Sequence, residues 1–142
     1  MSGIIGGAGS KSGVIGTTEL DYEEGTWTPI GAGSATWGNG YGQYVKIGKM
    51  VWCSGVITCT SISGGTTNDN ISYPFTSVAG TGAPTNWSLA GVGTGTETVN
   101  TGYTVQARIN NANTVGALRQ HNNGNTWAVN DRINFTVIYE VA

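Results

Sequence analysis

The last stretch of the chain is the most restrictive. Ile133, Phe135, Val137, Tyr139 and Val141 alternate with Asn134, Thr136, Ile138 and Glu140. Side chains of a strand point to opposite faces in turn, so a period of two describes a strand with one buried face and excludes an amphipathic helix. Residues 50–60 repeat the pattern. Val51, Cys53, Gly55, Ile57 and Cys59 fall on one face, and Trp52, Ser54, Val56 and Thr58 on the other. A chain built on such strands has to pair them. Further short candidates lie at 41–47, 71–73, 87–92, 103–110 and 115–120. Gly48-Lys49 is a two-residue hairpin signal, and residues 63–70 are a loop by composition. No stretch carries a helical period of useful length. The expected fold is all-β, an antiparallel β-sandwich of jelly-roll-like form.

Composition narrows the class. The chain has 142 residues, enough for one domain with one core. Only 10% are charged, but five Trp and six Tyr stand among β-branched residues, which is not the make-up of a disordered chain. Low charge with 24 glycines also suits a surface covered by neighbouring subunits. The net charge is −2, and Lys11, Lys46, Lys49, Arg108, Arg119 and Arg132 form no run or stripe, so no nucleic-acid partner is expected. No stretch approaches the ~20 apolar residues of a membrane span. The N-terminus lacks the basic and continuous apolar regions of a secretion signal, which points to synthesis and assembly in a cytoplasm.

The chain divides into an arm, residues 1–18, and a body, residues 19–142. In the arm Ser2-Gly3-Ile4-Ile5-Gly6 recurs as Ser12-Gly13-Val14-Ile15-Gly16. Ile4, Ile5, Val14 and Ile15 read as two apolar plugs for pockets on a neighbour, the kind of anchor that supplies interface energy. An ordinary frayed terminus is the competing reading. Fully extended, such an arm reaches roughly 60 Å. Glu19, Asp21, Glu23 and Glu24, four of the eight carboxylates, form an acidic hinge, either solvated or facing a cation or a basic partner.

Catalytic chemistry finds little support. His121 is the only histidine, and it sits in the loop-like Gln120-His121-Asn122-Asn123-Gly124. A Ser-His-Asp relay needs an acid and a nucleophile converging on it, and Asp131 comes with no nucleophile-elbow pattern. The carboxylates Asp69, Glu97, Asp131 and Glu140 are isolated in sequence, whereas glycoside hydrolysis needs a facing pair. Asn68-Asp69-Asn70 offers too few oxygen ligands for Ca²⁺ and reads as a turn. Cys53 and Cys59 lie roughly 20 Å apart along one strand, too far for a disulfide, and read as buried thiols. No catalytic residue, metal site or cofactor is expected. Among the aromatics, Trp37 and Trp127 lie closest to loop composition and are the candidates for stacking on sugar rings. Core burial is the default for all five tryptophans, and Trp52 in particular is expected to be packed.

Several segments are similar to one family. Asp21-Tyr22-Glu23-Glu24-Gly25-Thr26-Trp27-Thr28-Pro29 resembles the "DDYEEGTWTP" opening of C-terminal knob domains of phage tail fibres. The run from Gly42-Gln43-Tyr44-Val45-Lys46-Ile47-Gly48 to Val51 resembles that family's hairpin. Ile71-Ser72-Tyr73-Pro74-Phe75-Thr76-Ser77 resembles its Pro-Phe turn, and residues 132–141 its terminal strand. The resemblance covers the chain from about residue 20 to its end. It implies a β-sandwich knob that trimerises on the outside of a virion. Fibre proteins carry a long anchoring region and shaft ahead of the knob, and only about two dozen residues stand there in this chain. The expectation is therefore a homotrimeric capsid-decoration protein, bound to the major capsid protein or another virion protein through its arm. The alternative is a tail-fibre tip or receptor-binding knob that recognises host surface glycans.

Overall fold

A computed structural model describes residues 21–63, 69–79, 91–100, 102–121 and 127–142. They form nine strands and no helix: β1 (Tyr22–Trp27), β2 (Gly31–Ala32), β3 (Ala35–Ile47), β4 (Met50–Ile62), β5 (Asp69–Ser72), β6 (Gly91–Glu97), β7 (Thr104–Arg108), β8 (Val115–Gln120) and β9 (Arg132–Glu140). All belong to one antiparallel sheet in the order β1-β3-β4-β9-β6-β7-β8-β5-β2. The strand β2 ends that order, yet it runs into β3 through Gly33 and Ser34 alone. The sheet therefore has to curl until its two sides meet. Across the closure the Ala35 amide donates to Asp69 Oδ1 at 3.1 Å and the Trp27 indole N–H to the Ser72 carbonyl at 3.2 Å, while the Ser72 amide extends the β2–β5 pairing onto the Ile30 carbonyl at 2.9 Å. The all-β, antiparallel class expected from the sequence holds, in the form of one continuous curled sheet.

The alternation read from the sequence sets which side is inside. Val51, Cys53, Ile57 and Cys59 of β4 and Ile133, Phe135, Val137 and Tyr139 of β9 are all buried. Val105 and Ala107 of β7, Leu118 of β8 and Ile71 of β5 meet them from the far side of the curl. Each such side chain contributes about 1.5–3 kcal/mol when fully buried. At one end Trp27, Tyr73 and Phe135 make edge-to-face contacts, with ring centroids 6.5 Å (Trp27–Phe135) and 6.3 Å (Tyr73–Phe135) apart. The hairpin between β3 and β4 turns at Gly48, whose φ of +57° is the left-handed conformation such turns need.

Three elements differ from the sequence reading. The acidic segment is not a free hinge, because Tyr22–Trp27 pairs with β3 along its whole length. Glu23 and Glu24 accept hydrogen bonds from the Tyr44 and Tyr22 hydroxyls, and Asp21 pairs with Lys46. β3 begins at Ala35, six residues earlier than expected, and accommodates Gly38-Asn39-Gly40 by irregular register between Gly38 and Tyr41. The candidate at 87–92 meets β6 only at Gly91 and Val92, since residues 87–90 lie outside the described residues, and the rest of β6 was hidden by its glycines. Gly91, Gly93 and Gly95 alternate with Val92, Thr94 and Thr96, and stand opposite Tyr139, Val137 and Phe135 of β9. A Cβ on Gly93 would lie 1.9 Å from the Thr136 carbonyl oxygen, so β9 has room beside it for a bare backbone only. Gly93→Ala should therefore cost about 2 kcal/mol or more, read as a lower denaturant midpoint, because backbone has to move to relieve the contact. An unchanged midpoint would contradict the register of β6 on β9.

Candidate binding surface

The outward residues of the sheet fall into rows that cross the strands. One row runs Glu24 (β1), Val45 (β3), Trp52 (β4), Ile138 (β9), Val92 (β6) and Arg108 (β7), each paired in register with the next. Its middle is apolar and open. Trp52 is 40% exposed, Ile138 42% and Val92 72%. The inner face of the same strands is already filled, so this row serves no core. Directly opposite residues lie about 5 Å apart, and the four apolar side chains make one continuous strip.

The next row is polar: Thr26, Gln43, Ser54, Thr136, Thr94 and Gln106. Here β4, β9 and β6 enclose a shallow, open hollow of about 470 Å³, lined by Ser54, Thr94, Thr96, Thr98, Asn134 and Thr136 over the backbone of Gly55 and Gly95. Hydroxyls and an amide on a rigid sheet can exchange hydrogen bonds with a polar ligand, and Trp52 stands two residues away from Ser54 on the same face. Nothing in the hollow is both acidic and buried.

The buried carboxylates are elsewhere and serve the loops. Glu97, at the end of β6, is fully buried. Its Oε1 accepts from the amides of Val99 at 2.6 Å and Asn100 at 3.0 Å, and its Oε2 from Gly102 at 2.9 Å. Asp131 Oδ1 accepts from the Asn100 side-chain amide at 2.7 Å, and its Oδ2 from the Ala128 amide at 2.7 Å and the Tyr103 hydroxyl at 3.2 Å. Asn100 thus joins the two acids, tying the β6–β7 turn to the approach to β9. Charged acceptors of this kind contribute more than neutral ones, and backbone amides that lose them inside a protein are costly. Sequence reading saw both acids as isolated, since only the fold brings residues 97 and 131 together.

Trp37 and Trp127, the expected sugar-stacking pair, are instead core residues. Both are buried, and their rings meet edge to face at a centroid distance of 5.3 Å, so neither offers a free face to a ligand. The reason is strand parity: Trp37 is an inward position of β3, and the glycines beside it belong to that strand and not to a loop. The two indole N–H groups face Asp69, a buried acid whose pKa is raised by desolvation and held back by the Ala35 amide and these indoles. Among the described residues the two indole nitrogens and Asp69 Oδ2 face one another without reaching full hydrogen-bond geometry. Asp69 lies in β5, not in a turn. Trp52, expected to be packed, is exposed, because it alternates with Val51 and Cys53.

Cys53 and Cys59 are free and buried; burial pushes the Cys53 thiol up to about 12, far from the thiolate that a nucleophile needs. His121 lies exposed just beyond β8. Among the described residues no group of acids, cysteines or histidines could hold a metal ion, and no helix is long and apolar enough to cross a membrane. Ile4, Ile5, Val14 and Ile15 lie outside the described residues. Comparison with known protein families, with curated proteins and with solved structures finds no match.

Glu97→Gln keeps the shape and puts an amide nitrogen against amide donors. It should lower stability by about 2 kcal/mol in chemical denaturation. A loss under about 0.5 kcal/mol, the range of ordinary surface substitutions, would mean that the acid does not organise the turn.

Proposed function

We propose that this chain is a non-enzymatic structural protein on the outer surface of a bacteriophage particle, a capsid-decoration protein. In this reading it assembles as a homotrimer in the host cytoplasm, and residues 1–18 grip the major capsid protein or another virion protein. The observation that supports it most is where the family-like segments fall. Tyr22–Trp27 is β1, residues 42–51 span the β3–β4 hairpin, and residues 132–141 contain β9. These strands are neighbours, in the order β1-β3-β4-β9. The Pro-Phe segment docks on them: Phe75 packs edge to face on Tyr44 at 4.9 Å, and its amide donates to the Tyr139 hydroxyl at 3.2 Å. Segments that resemble one family separately therefore make up a single connected half of the molecule. Chance matches along a sequence have no reason to pair with one another.

The chemistry of the described residues agrees with a passive role. Glu97 and Asp131 are used up in holding loops, and the thiols are buried. A protein that binds only the assembled shell stabilises that state by mass action and needs no chemical step. The hydroxyl-lined hollow beside Trp52 favours one second reading, a tail-fibre tip or receptor-binding knob that recognises host surface glycans.

Co-sedimentation with capsid shells lacking the protein separates the readings. The full chain should pellet with shells to saturation, and a chain without residues 2–18 should stay in the supernatant. Failure of the full chain to pellet, or equal binding by the truncated one, would overturn decoration through the arm. The glycan reading instead predicts binding to host surface polysaccharide that survives the truncation and is lost in Trp52→Ala.

A further inference from the structure

We infer that the apolar row Val45–Trp52–Ile138–Val92 is the surface through which three copies of this chain close around a three-fold axis, the β3 side of one copy against the β6 side of the next. The inference rests on the homotrimer of the preceding reading and names its interface. Three observations carry it.

The first is the strip itself. Four large apolar side chains stand in register on four neighbouring strands, pointing away from a core that is complete without them. Single exposed apolar residues are ordinary, but a continuous strip with a polar margin marks a contact surface. The row of Gln43, Ser54, Thr136 and Thr94 supplies that margin on one side.

The second is the direction of the row. Its β1 end carries the exposed Glu24. Its β7 end carries Arg108, whose pKa is lowered by desolvation and by the neighbouring charge of Arg119. A copy that laid its acidic end against another acidic end would pay for the like charges. A head-to-tail contact sets Glu24 of one copy near Arg108 of the next. This chemistry selects a second copy of the chain as occupant, because each copy carries both halves of the match.

The third is curvature. The strip lies on the outer side of a curled sheet, and a convex face touches a single partner along one narrow line. Around a three-fold axis each copy meets two neighbours, one on each flank. Val45 and Val92, on the outer strands of the strip, then make the contacts, while Trp52 and Ile138 between them face the axis. Head-to-tail interfaces that close in this way form rings, whereas a two-fold pair would cover one line and leave a flank wet.

Light scattering on the full chain and on outward-facing variants tests this. The wild type should have three times the mass of the 14.6 kDa chain. Val92→Lys and Ile138→Lys should be single chains with native near-ultraviolet circular dichroism, since neither side chain enters the core. Glu24→Arg should weaken association at least tenfold, and adding Arg108→Glu should restore it. Trimers that persist in a folded Val92→Lys would overturn the inference and leave the homotrimer standing with its contact elsewhere. A two-chain mass abolished by these variants would overturn the three-fold arrangement. A wild type of single-chain mass would overturn both interface and trimer, while shell co-sedimentation would still decide decoration independently.

Discussion

Strand β9 lies between β4 and β6, and both faces of the molecule depend on how it pairs there. Its inward set, Ile133, Phe135, Val137 and Tyr139, forms the middle of the core. At about 1.5–3 kcal/mol each, their gross contribution is of the same order as the net stability of a whole domain, about 5–15 kcal/mol. Its outward set, Asn134, Thr136 and Ile138, supplies the centre of the polar hollow and of the apolar strip. A slip of one residue would exchange the two sets. The register of this one strand therefore determines what holds the protein together and what it offers to partners.

Closing such a sheet leaves polar groups inside, and several of them are met by particular partners. Glu97 gathers the amides of its own turn, and Asp131 gathers a hydroxyl, an amide side chain and a backbone amide. Tyr139 buries its hydroxyl against the backbone of Phe75, accepting from the amide and donating to the carbonyl at 3.3 Å. Asp69, between the indoles of Trp37 and Trp127, is the least well satisfied of the set, and burial raises its pKa accordingly. The bonds of Asn100 and Tyr103 to Asp131 and of Tyr139 to Phe75 join residues far apart in the chain, whereas Glu97 holds its own turn.

How much of this was legible in the sequence depended on whether the signal was periodic. The faces of β4 and β9 could be read residue by residue, and the extent of β8 and the Gly48-Lys49 hairpin could be placed. Parity also contained the answer for Trp52. It alternates with Val51 and Cys53 and so points outward, but aromatic size argued for burial. Trp37 failed in the opposite direction: glycine and asparagine around it mimic a loop, whereas they let a long strand bend. Most of β6 was illegible because Gly91, Gly93 and Gly95, followed by the buried acid Glu97, supplied its inward face, leaving no apolar residue to mark the period. The Glu97–Asn100–Asp131 link is set by tertiary structure, so no local pattern could reveal it.

The pairing of β9 between β4 and β6 is open to direct measurement by hydrogen exchange resolved to individual amides. In the intact protein the β9 amides between Ile133 and Tyr139 should be among the last to exchange, opening only with global unfolding, while those of the edge strand β1 exchange earlier through local opening. If β9 exchanged as early as β1, the strand would not be the centre of the sheet. The core, the hollow and the strip would then have to be assigned anew.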